Sequence, residues 1–516
     1  TDCVKQAGGS VSALQKRGSV EPTGEQIELE ADAVVVGAGA SGMGAALASA
    51  QSGARVIVLE KNSNIGGNCL VSGGYLEYLS APDAARPEMT EELHRYVEEV
   101  LGSEIAAASD PAIVEKVRQQ YEEYKATGSS KLFDSELFYS LDIAVTSGEG
   151  LPVEVYMPLA HNLSVLNDWM TELNFSWATP LHPITGYAYP RWSNPTEGIC
   201  GEGYFDFFDT VLEGEGLGVE VMLATAAQDL ITEGGSVVGV TACAEDGTIY
   251  TIRTPKVILA SGGFSGNPDL LREYNTLWDY PKGNLPTTNV NGHTGDGITL
   301  ARKIGAQVKD MDNQMLFPFN DPITFSADNV AGTFGDSPVV NEGGKRFVDE
   351  TTDRFTIAAA LMKQTNSMCY FISDSESVMF YETSPSEETL LRRGQLFKGN
   401  TLEELGQQMG CDPKEFAEEL KRFNDFVAAG NDTDFGRYIF SEISAVDTPP
   451  FYAAPATWAA HITIGGLDVD ETNFAVRNEN GSSIPGLYAC GEVRNSICGV
   501  ASIADGVAAG KAIFTR

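Results

Sequence analysis

The sequence predicts an α/β fold: a unit of parallel strands, interrupted by an inserted α+β segment and then resumed. Two apolar runs, Asp32-Ala-Val-Val-Val-Gly37 and Arg55 to Glu60, lack polar alternation and flank a Gly/Ala-rich helix over 41–52, as buried parallel strands do. Near Asp312 the glycine turns thin out, and two amphipathic helical stretches follow at Thr401–Met409 and Pro413–Ala429. From 453 onward the chain is Gly/Ala-rich again and ends in a predicted helix over Ile503–Phe514. The expected layout is a tail or linker at 1–30, the first part of the main domain at 31–313, the insert at 314–452 and the second part at 453–516.

In chain order, residues 1–30 show no periodicity and read as a tail. The βαβ pattern of 31–60 follows, and Pro87 to Thr127 is helical and acidic. Thr179 to Gly203, rich in Pro, Gly and aromatic residues, is expected to be irregular and near a ligand. A helix over Tyr204–Glu213 comes next, then strands near 218–224, 236–244 and 248–253. The strand 256–260 runs directly into Ser261-Gly-Gly-Phe264, ahead of a helix around 295–304.

Composition narrows the function. A chain of 516 residues is expected to hold two or three domains at about 100–200 residues each. Its 42% hydrophobic and 21% charged residues are those of a folded globular protein. The 54 glycines exceed the usual share of about 7%, which points to backbone held close to a ligand. A net charge of −38 repels nucleic acid and anionic lipid; it reads either as a solvated acidic surface or as a match for a cationic protein partner. The most apolar stretch, Ala33 to Ala50, lacks the ~20 strongly apolar residues of a membrane-spanning helix. The chain starts at Thr1, so it is expected to be a processed or trimmed product with any targeting segment removed. Its cysteines (Cys3, Cys69, Cys200, Cys243, Cys369, Cys411, Cys490 and Cys498) form no CxxC and no CxxCH, so no metal site or covalent haem is expected.

The chemistry-bearing motif is Gly37-Ala-Gly39-Ala40-Ser41-Gly42, placed after one strand and opening a helix, with Glu60 about 20 residues on at the end of the next strand. Gly37 permits the tight turn, Gly39 lets backbone approach a pyrophosphate, and Gly42 permits close helix–strand packing. The helix N-terminus offers N–H groups to phosphate, and Glu60 accepts from ribose hydroxyls. Beyond Glu60 the chain continues through Lys61, Gly66, Gly67 and Asn68 to Ser72, Gly73 and Gly74. These further glycine turns suit a long dinucleotide, and no second GxGxxG with its own acid is present. FAD, held non-covalently, is therefore the expected cofactor.

Several segments, in this order, resemble the fumarate reductase/succinate dehydrogenase flavoprotein family, and in particular its soluble fumarate reductase-like branch. They are 37–60, 66–68, Ala260-Ser261-Gly262-Gly-Phe264, Gly295-Asp296-Gly297, Gly344-Lys-Arg-Phe-Val-Asp-Glu350, His461-Ile-Thr-Ile-Gly-Gly466 and Gly486-Leu-Tyr-Ala-Cys-Gly491-Glu492. The resemblance implies a Rossmann-like FAD-binding domain interrupted by a capping domain. It adds Ala260, Ser261, Gly262, Asp296, Gly491, Glu492, Ser502 and Ile503 to the expected cofactor contacts. It also implies hydride transfer from flavin N5 to an activated C=C, with a proton delivered by an arginine that matches Arg354. The alternative for Arg354 is a salt bridge with Asp349, Glu350 or Asp353. His461 matches a histidine that bonds a substrate oxygen, the alternative being a structural histidine.

Departures from the family pattern carry the substrate reading. Phe317-Pro318-Phe319 stands where fumarate reductases have His-Pro-Thr, and Val330-Ala-Gly-Thr333 replaces their Glu and Arg proton relay. Asp328 or Asp336 is left as a substitute for that relay. The loop after Glu492 is shortened, and its Arg494 either restores an anion contact or pairs with an acid. A small unsaturated acid or ketone with a larger or more aromatic body than fumarate is expected, held by Phe317, Phe319, Tyr187, Tyr189 and Trp192. The chain shows no haem motif and no NAD(P)H domain, so electrons are expected from an external donor, either another protein or reduced flavin. The resemblance places such chemistry in anaerobic respiration at the cell envelope, outside the cytoplasm, with the cytoplasm as the alternative. The functional alternatives are a ketosteroid dehydrogenase-like enzyme working in the desaturating direction and a non-catalytic flavin electron carrier.

Overall fold

The computed structural model describes residues 24–146, 152–184, 187–198, 201–326, 337–380, 385–437, 444–495 and 499–514. The central six-stranded sheet has the order Ala475–Arg477, Ser483–Ala489, Val257–Leu259, Ala33–Val36, Val56–Leu59, Val219–Met222. Every neighbouring pair from Ser483–Ala489 onward is parallel, and the edge strand Ala475–Arg477 is antiparallel. The strands Ala33–Val36, Val56–Leu59 and Val257–Leu259 are buried throughout, which explains their unbroken apolar sequence. Helix Ala40–Gln51 lies against this sheet and under helix Ser502–Phe514. Their approach is close because the facing residues are small. A Cβ on Gly506 would stand 2.0 Å from Ser41 O, and one on Gly510 2.6 Å from Ala45 O.

The cap is built on a five-stranded antiparallel sheet. Gln314–Asn320 and Met368–Ser373 flank the 13-residue strand Phe451–Thr463, with Val339–Asn341 and Phe397–Gly399 completing it. Helices Leu402–Met409 and Pro413–Ala429 cover it. The second is started by Asp412, whose Oδ1 accepts from Lys414 N and Glu415 N, and stopped by Gly430 in the left-handed region. The expected boundary at 452 falls inside the long strand, which belongs to the cap sheet and ends beside the cavity.

Two expectations are corrected and one strand was missed. Residues 26–30 are not tail: Gln26–Glu30 is an edge strand parallel to Ile249–Arg253, with Ile27 and Leu29 turned inward. Only two apolar side chains signal it, too few to register as a pattern. The segment from 179 to 203 is not irregular throughout: His182–Ile184 and Tyr187–Ser193 form a small sheet with Leu76–Glu77. Pro190, which argued against a strand, lies within the register shift between the His182 and Ile184 pairings, where a missing N–H is tolerated. The strand expected near 218–224 is present as Val219–Met222, but the strand Thr225–Glu233 that follows was not expected, and it joins a different sheet.

Candidate active site

The loop between Val36 and helix Ala40–Gln51 opens onto a cavity of about 1720 Å³. Gly39 is the helix N-cap and supplies no side chain, so no side-chain bond occupies the first-turn amides. A Cβ on Gly39 would meet nothing nearer than Gly66 O at 4.0 Å, so this backbone faces open space. Gly37 and Gly42 differ in kind: a Cβ on Gly37 would come 2.5 Å from Ala260 O, and one on Gly42 1.8 Å from Gly37 O. The Glu60 carboxylate is buried at the cavity wall, where Oε2 accepts from Ala38 N (2.9 Å) and Oε1 from Asn62 N (2.8 Å). A carboxylate accepts about four hydrogen bonds, so two remain for ribose hydroxyls. An uncapped helix N-terminus, bare backbone and a positioned acid fit a dinucleotide. The volume exceeds the roughly 300–1,000 Å³ of a single-ligand pocket, leaving room for a second molecule.

Toward the cap the same cavity is lined by Phe317, Phe319, Arg354, Phe371 and His461. Arg354 is the first residue of helix Arg354–Met362, whose N-cap Asp353 accepts from Thr356 N at 2.9 Å. Its guanidinium lies over the Phe317 ring, 5.0 Å from the centroid. Burial lowers its pKa, and Tyr187 opposes this. The acids considered as its salt-bridge partners are engaged elsewhere. Glu350 takes both Nε and Nη2 of Arg346, at 2.8 and 2.7 Å, while Asp349 closes a turn on Thr351 N at 2.8 Å.

His461, on strand Phe451–Thr463, lies with its ring 5.0 Å from the Phe317 ring and Nδ1 2.7 Å from Thr288 Oγ1. Burial, reinforced by the charges of Arg354 and His293, pushes its pKa down to about 3. At neutral pH it is an uncharged imidazole that exchanges hydrogen bonds, not a cation. Cys69 also lines the cavity, but burial pushes its thiol up to about 12 against the opposing Ser72 hydrogen bond, so it is no thiolate nucleophile.

The FAD binding domain family matches residues 32–511. The chain belongs to that family. Its cofactor is FAD. Among relatives, the chain is similar to an NADH:acrylate oxidoreductase of Vibrio harveyi, 29% identical over 96% of this chain and 51% of that protein. It thus spans about half the length of that relative. It is also similar to the urocanate reductase of Eggerthella lenta, at 27% identity over 95% of this chain and 74% of that one. The open form of a flavocytochrome c3 fumarate reductase shares the fold, with a TM-score of 0.68 and 24% identity over 98% of this chain and 80% of the other.

Of the residues expected to hold FAD, Gly37, Gly39, Ala40, Ser41, Glu60, Lys61, Gly67, Asn68, Ser72, Gly73, Ala260, Ser261, Gly262, Asp296, Glu492 and Ser502 line the cavity. Gly42, Gly66, Gly74, Gly491 and Ile503 stand behind it and shape its wall. Gly66 N donates to Ala38 O, Gly74 O accepts from the Tyr204 hydroxyl, and Gly491 N donates to Asp505 Oδ2. Lys61 is tied to Asp296 at 2.6 Å and to Thr294 Oγ1 at 2.7 Å.

Two expected substrate contacts are corrected, and Arg494, left open between an anion contact and an acid, takes the acid. Arg494 is buried away from the cavity: Nε and Nη2 bond both oxygens of Asp505 (2.8 and 2.6 Å), and Nη1 bonds Glu471 (2.9 Å). Burial works against its charge, but the two carboxylates outweigh it and raise the pKa. Arg494 therefore clamps the loop to helix Ser502–Phe514. Tyr189 is 1% exposed and packs among Tyr96 and Phe138, its hydroxyl donating to Phe133 O. Trp192 is buried behind Tyr187 (5.3 Å between rings), and of the three aromatic residues on that strand Tyr187 alone lines the cavity. Strand alternation does not separate these rings, because both faces of the small sheet are covered. The relay positions 328, 330–333 and 336, and Cys3, Cys200 and Cys498, lie outside the described residues.

The sequence reading missed His293, Thr288, Asn289 and Thr463. His293 Nε2 lies 3.0 Å from Glu492 Oε1, which also accepts from Thr463 N at 2.9 Å. Asn289 Nδ2 donates to His461 O at 2.9 Å. The run Asn291-Gly292-His293-Thr294 beside the quoted Gly295-Asp-Gly297 was the available signal. Among the described residues no helix is long and apolar enough to cross a membrane, and no His/Cys/Asp/Glu cluster could hold a metal.

Proposed function

We propose that the protein reduces the activated C=C bond of an α,β-unsaturated acid or ketone whose body is larger or more aromatic than fumarate, with electrons from an external donor. The observation that carries this reading is one continuous cavity, joining the dinucleotide cradle to Arg354 and His461 across Phe317. Bound FAD, once reduced by the external donor, would supply hydride to one alkene carbon. Arg354 protonates the other carbon, and its burial, by weakening its hold on the proton, makes it a stronger acid than a solvated arginine. His461 bonds the substrate carbonyl or carboxylate oxygen, where charge grows as hydride arrives, and the neutral imidazole avoids competing with Arg354 for that charge. Phe317 occupies the place where a second carboxylate ligand would be needed, so fumarate leaves a carboxylate unsatisfied at a cost of about 1–3 kcal/mol.

The test is reoxidation of dithionite-reduced holoprotein, followed by the visible flavin band, with fumarate, cinnamates, urocanate and unsaturated ketones. Reoxidation by one or more of the larger alkenes is expected, and Arg354→Lys should slow it by about 10²–10⁴-fold. Silence across the panel sinks the reductase reading, and fast fumarate turnover sinks the substrate argument. Tyr187 in the same cavity favours a second reading, desaturation of a saturated ketone with a tyrosine base. That reading requires bleaching of the oxidised flavin by a saturated ketone, and Tyr187→Phe should abolish it.

A further inference from the structure

We propose that the cap wall forms an apolar corridor leading from the reaction centre to the protein surface, and that the substrate is an enoate or enone whose extended apolar tail fills it. This rests on the alkene-reductase reading and specifies its substrate class. The corridor begins at Phe317, the ring shared by Arg354 and His461. Two residues along strand Gln314–Asn320, within the bulge between the Phe317 and Asn320 pairings, stands Phe319, which also lines the cavity. Phe371, from strand Met368–Ser373, packs edge-on against it with 4.5 Å between centroids. Both rings line the cavity, and neither offers a hydrogen bond to a polar substrate group.

The outer end is built from two cap loops, through Phe325 and Met379, which also line the cavity. Phe325 has φ +55°, a conformation costly for a bulky side chain. The turn that imposes it is held at several points. Asp321 Oδ1 accepts from Ile323 N (3.0 Å), Thr324 N (2.7 Å) and Thr324 Oγ1 (2.9 Å), and Asp321 O accepts from Phe325 N (2.8 Å). Gln395 Nε2 then anchors Asp321 Oδ2 at 2.8 Å. A strained aromatic aimed into a cavity by so determined a turn marks a functional wall. Met379 is 38% exposed, and Phe380, next to it in sequence, and Ile323, two residues before Phe325, are 42% and 61% exposed, although neither lines the cavity. One wall of the cavity is thus apolar from Phe317 to the partly exposed Met379, while Thr324, Ser326 and residues 349–353 also line the cavity, and a short or doubly charged substrate does not need such an apolar wall.

The experiment uses dithionite-reduced holoprotein and straight-chain trans-2-enoates, from crotonate through the medium-chain acids. The value of kcat/KM is expected to rise about four-fold per added methylene and to level off once the tail reaches the mouth. Met379→Glu is expected to remove the gain of the longest members and leave crotonate unchanged. Equal kcat/KM along the series overturns the corridor while leaving the reductase reading intact. If no member reoxidises the flavin, the reductase reading is left to the wider alkene panel, and the corridor is judged by titrating oxidised holoprotein with saturated fatty acids through perturbation of the flavin band. Affinity rising with chain length and weakened by Met379→Glu supports it; affinity independent of length overturns it.

Discussion

Arg354 and His461 both lie 5.0 Å from the centre of the Phe317 ring, and the Arg354 charge makes a positive charge on His461 more costly. His461 yields, its pKa falling to about 3 from an ordinary 6.5 under burial and the neighbouring charges of Arg354 and His293. Stability follows from this. Between pH 6.5 and about 3 the unfolded chain binds a proton at His461 that the folded chain refuses, so this residue's contribution is present above 6.5 and lost as pH falls. In that window folded stability is expected to drop by up to about 1.4 kcal/mol per pH unit more steeply in the native protein than in His461→Gln. Chemical unfolding at several pH values measures the difference, and parallel curves would show that His461 titrates normally. At this scale the resemblance located Arg354 and His461 because their flanking residues form motifs. Arg494 was left open between an anion contact and an acid, because ownership of a cation is decided by distant acids. Asp505 and Glu471 reach it from another helix and another loop, and nothing in the local sequence marks that pairing.

At the scale of elements, the tightest constraint is the crossing of helices Ala40–Gln51 and Ser502–Phe514. Gly506 leaves no room for a methyl group, with a Cβ falling 2.0 Å from Ser41 O, and Ser41 is a first-turn residue of the dinucleotide cradle. Gly506→Ala is expected to cost about 1–3 kcal/mol and to lower FAD retention by moving that turn. Gly214→Ala, in helix Glu202–Glu215 with open space around its Cβ position, is expected to be neutral or stabilising. Thermal unfolding and flavin content after gel filtration compare the two; equal flavin retention would separate the crossing from the cofactor site. The helices themselves were legible from period and from stop signals such as Gly430 and Gly410. Gln26–Glu30 and Thr225–Glu233 were not, because edge and twisted antiparallel strands owe their form to partners far along the chain.

Across the whole molecule, the cofactor cradle is assembled from segments that are remote in sequence. Cys490 Sγ lies 3.9 Å from Ser41 O across 449 residues, Ser502 joins Ser41 at the cavity, and the cap strand Phe451–Thr463 carries His461 to the reaction centre. The alternation of main domain, insert and main domain was legible as a change in glycine use. The depth to which one cap strand enters the site was not, since strand length is set by pairing with Gln314–Asn320 and Met368–Ser373. This closure has a consequence for biosynthesis. The βαβ unit that reads as a complete nucleotide motif leaves the ribosome early, yet helix Ser502–Phe514, against which it packs, is made hundreds of residues later. Flavin loading is therefore expected to wait for synthesis of residues 502–514. Nascent chains arrested before 502 are expected to carry no flavin fluorescence change or visible band, whereas chains extended past 514 acquire both. A flavin-loaded arrested chain would show instead that the early motif captures the cofactor by itself.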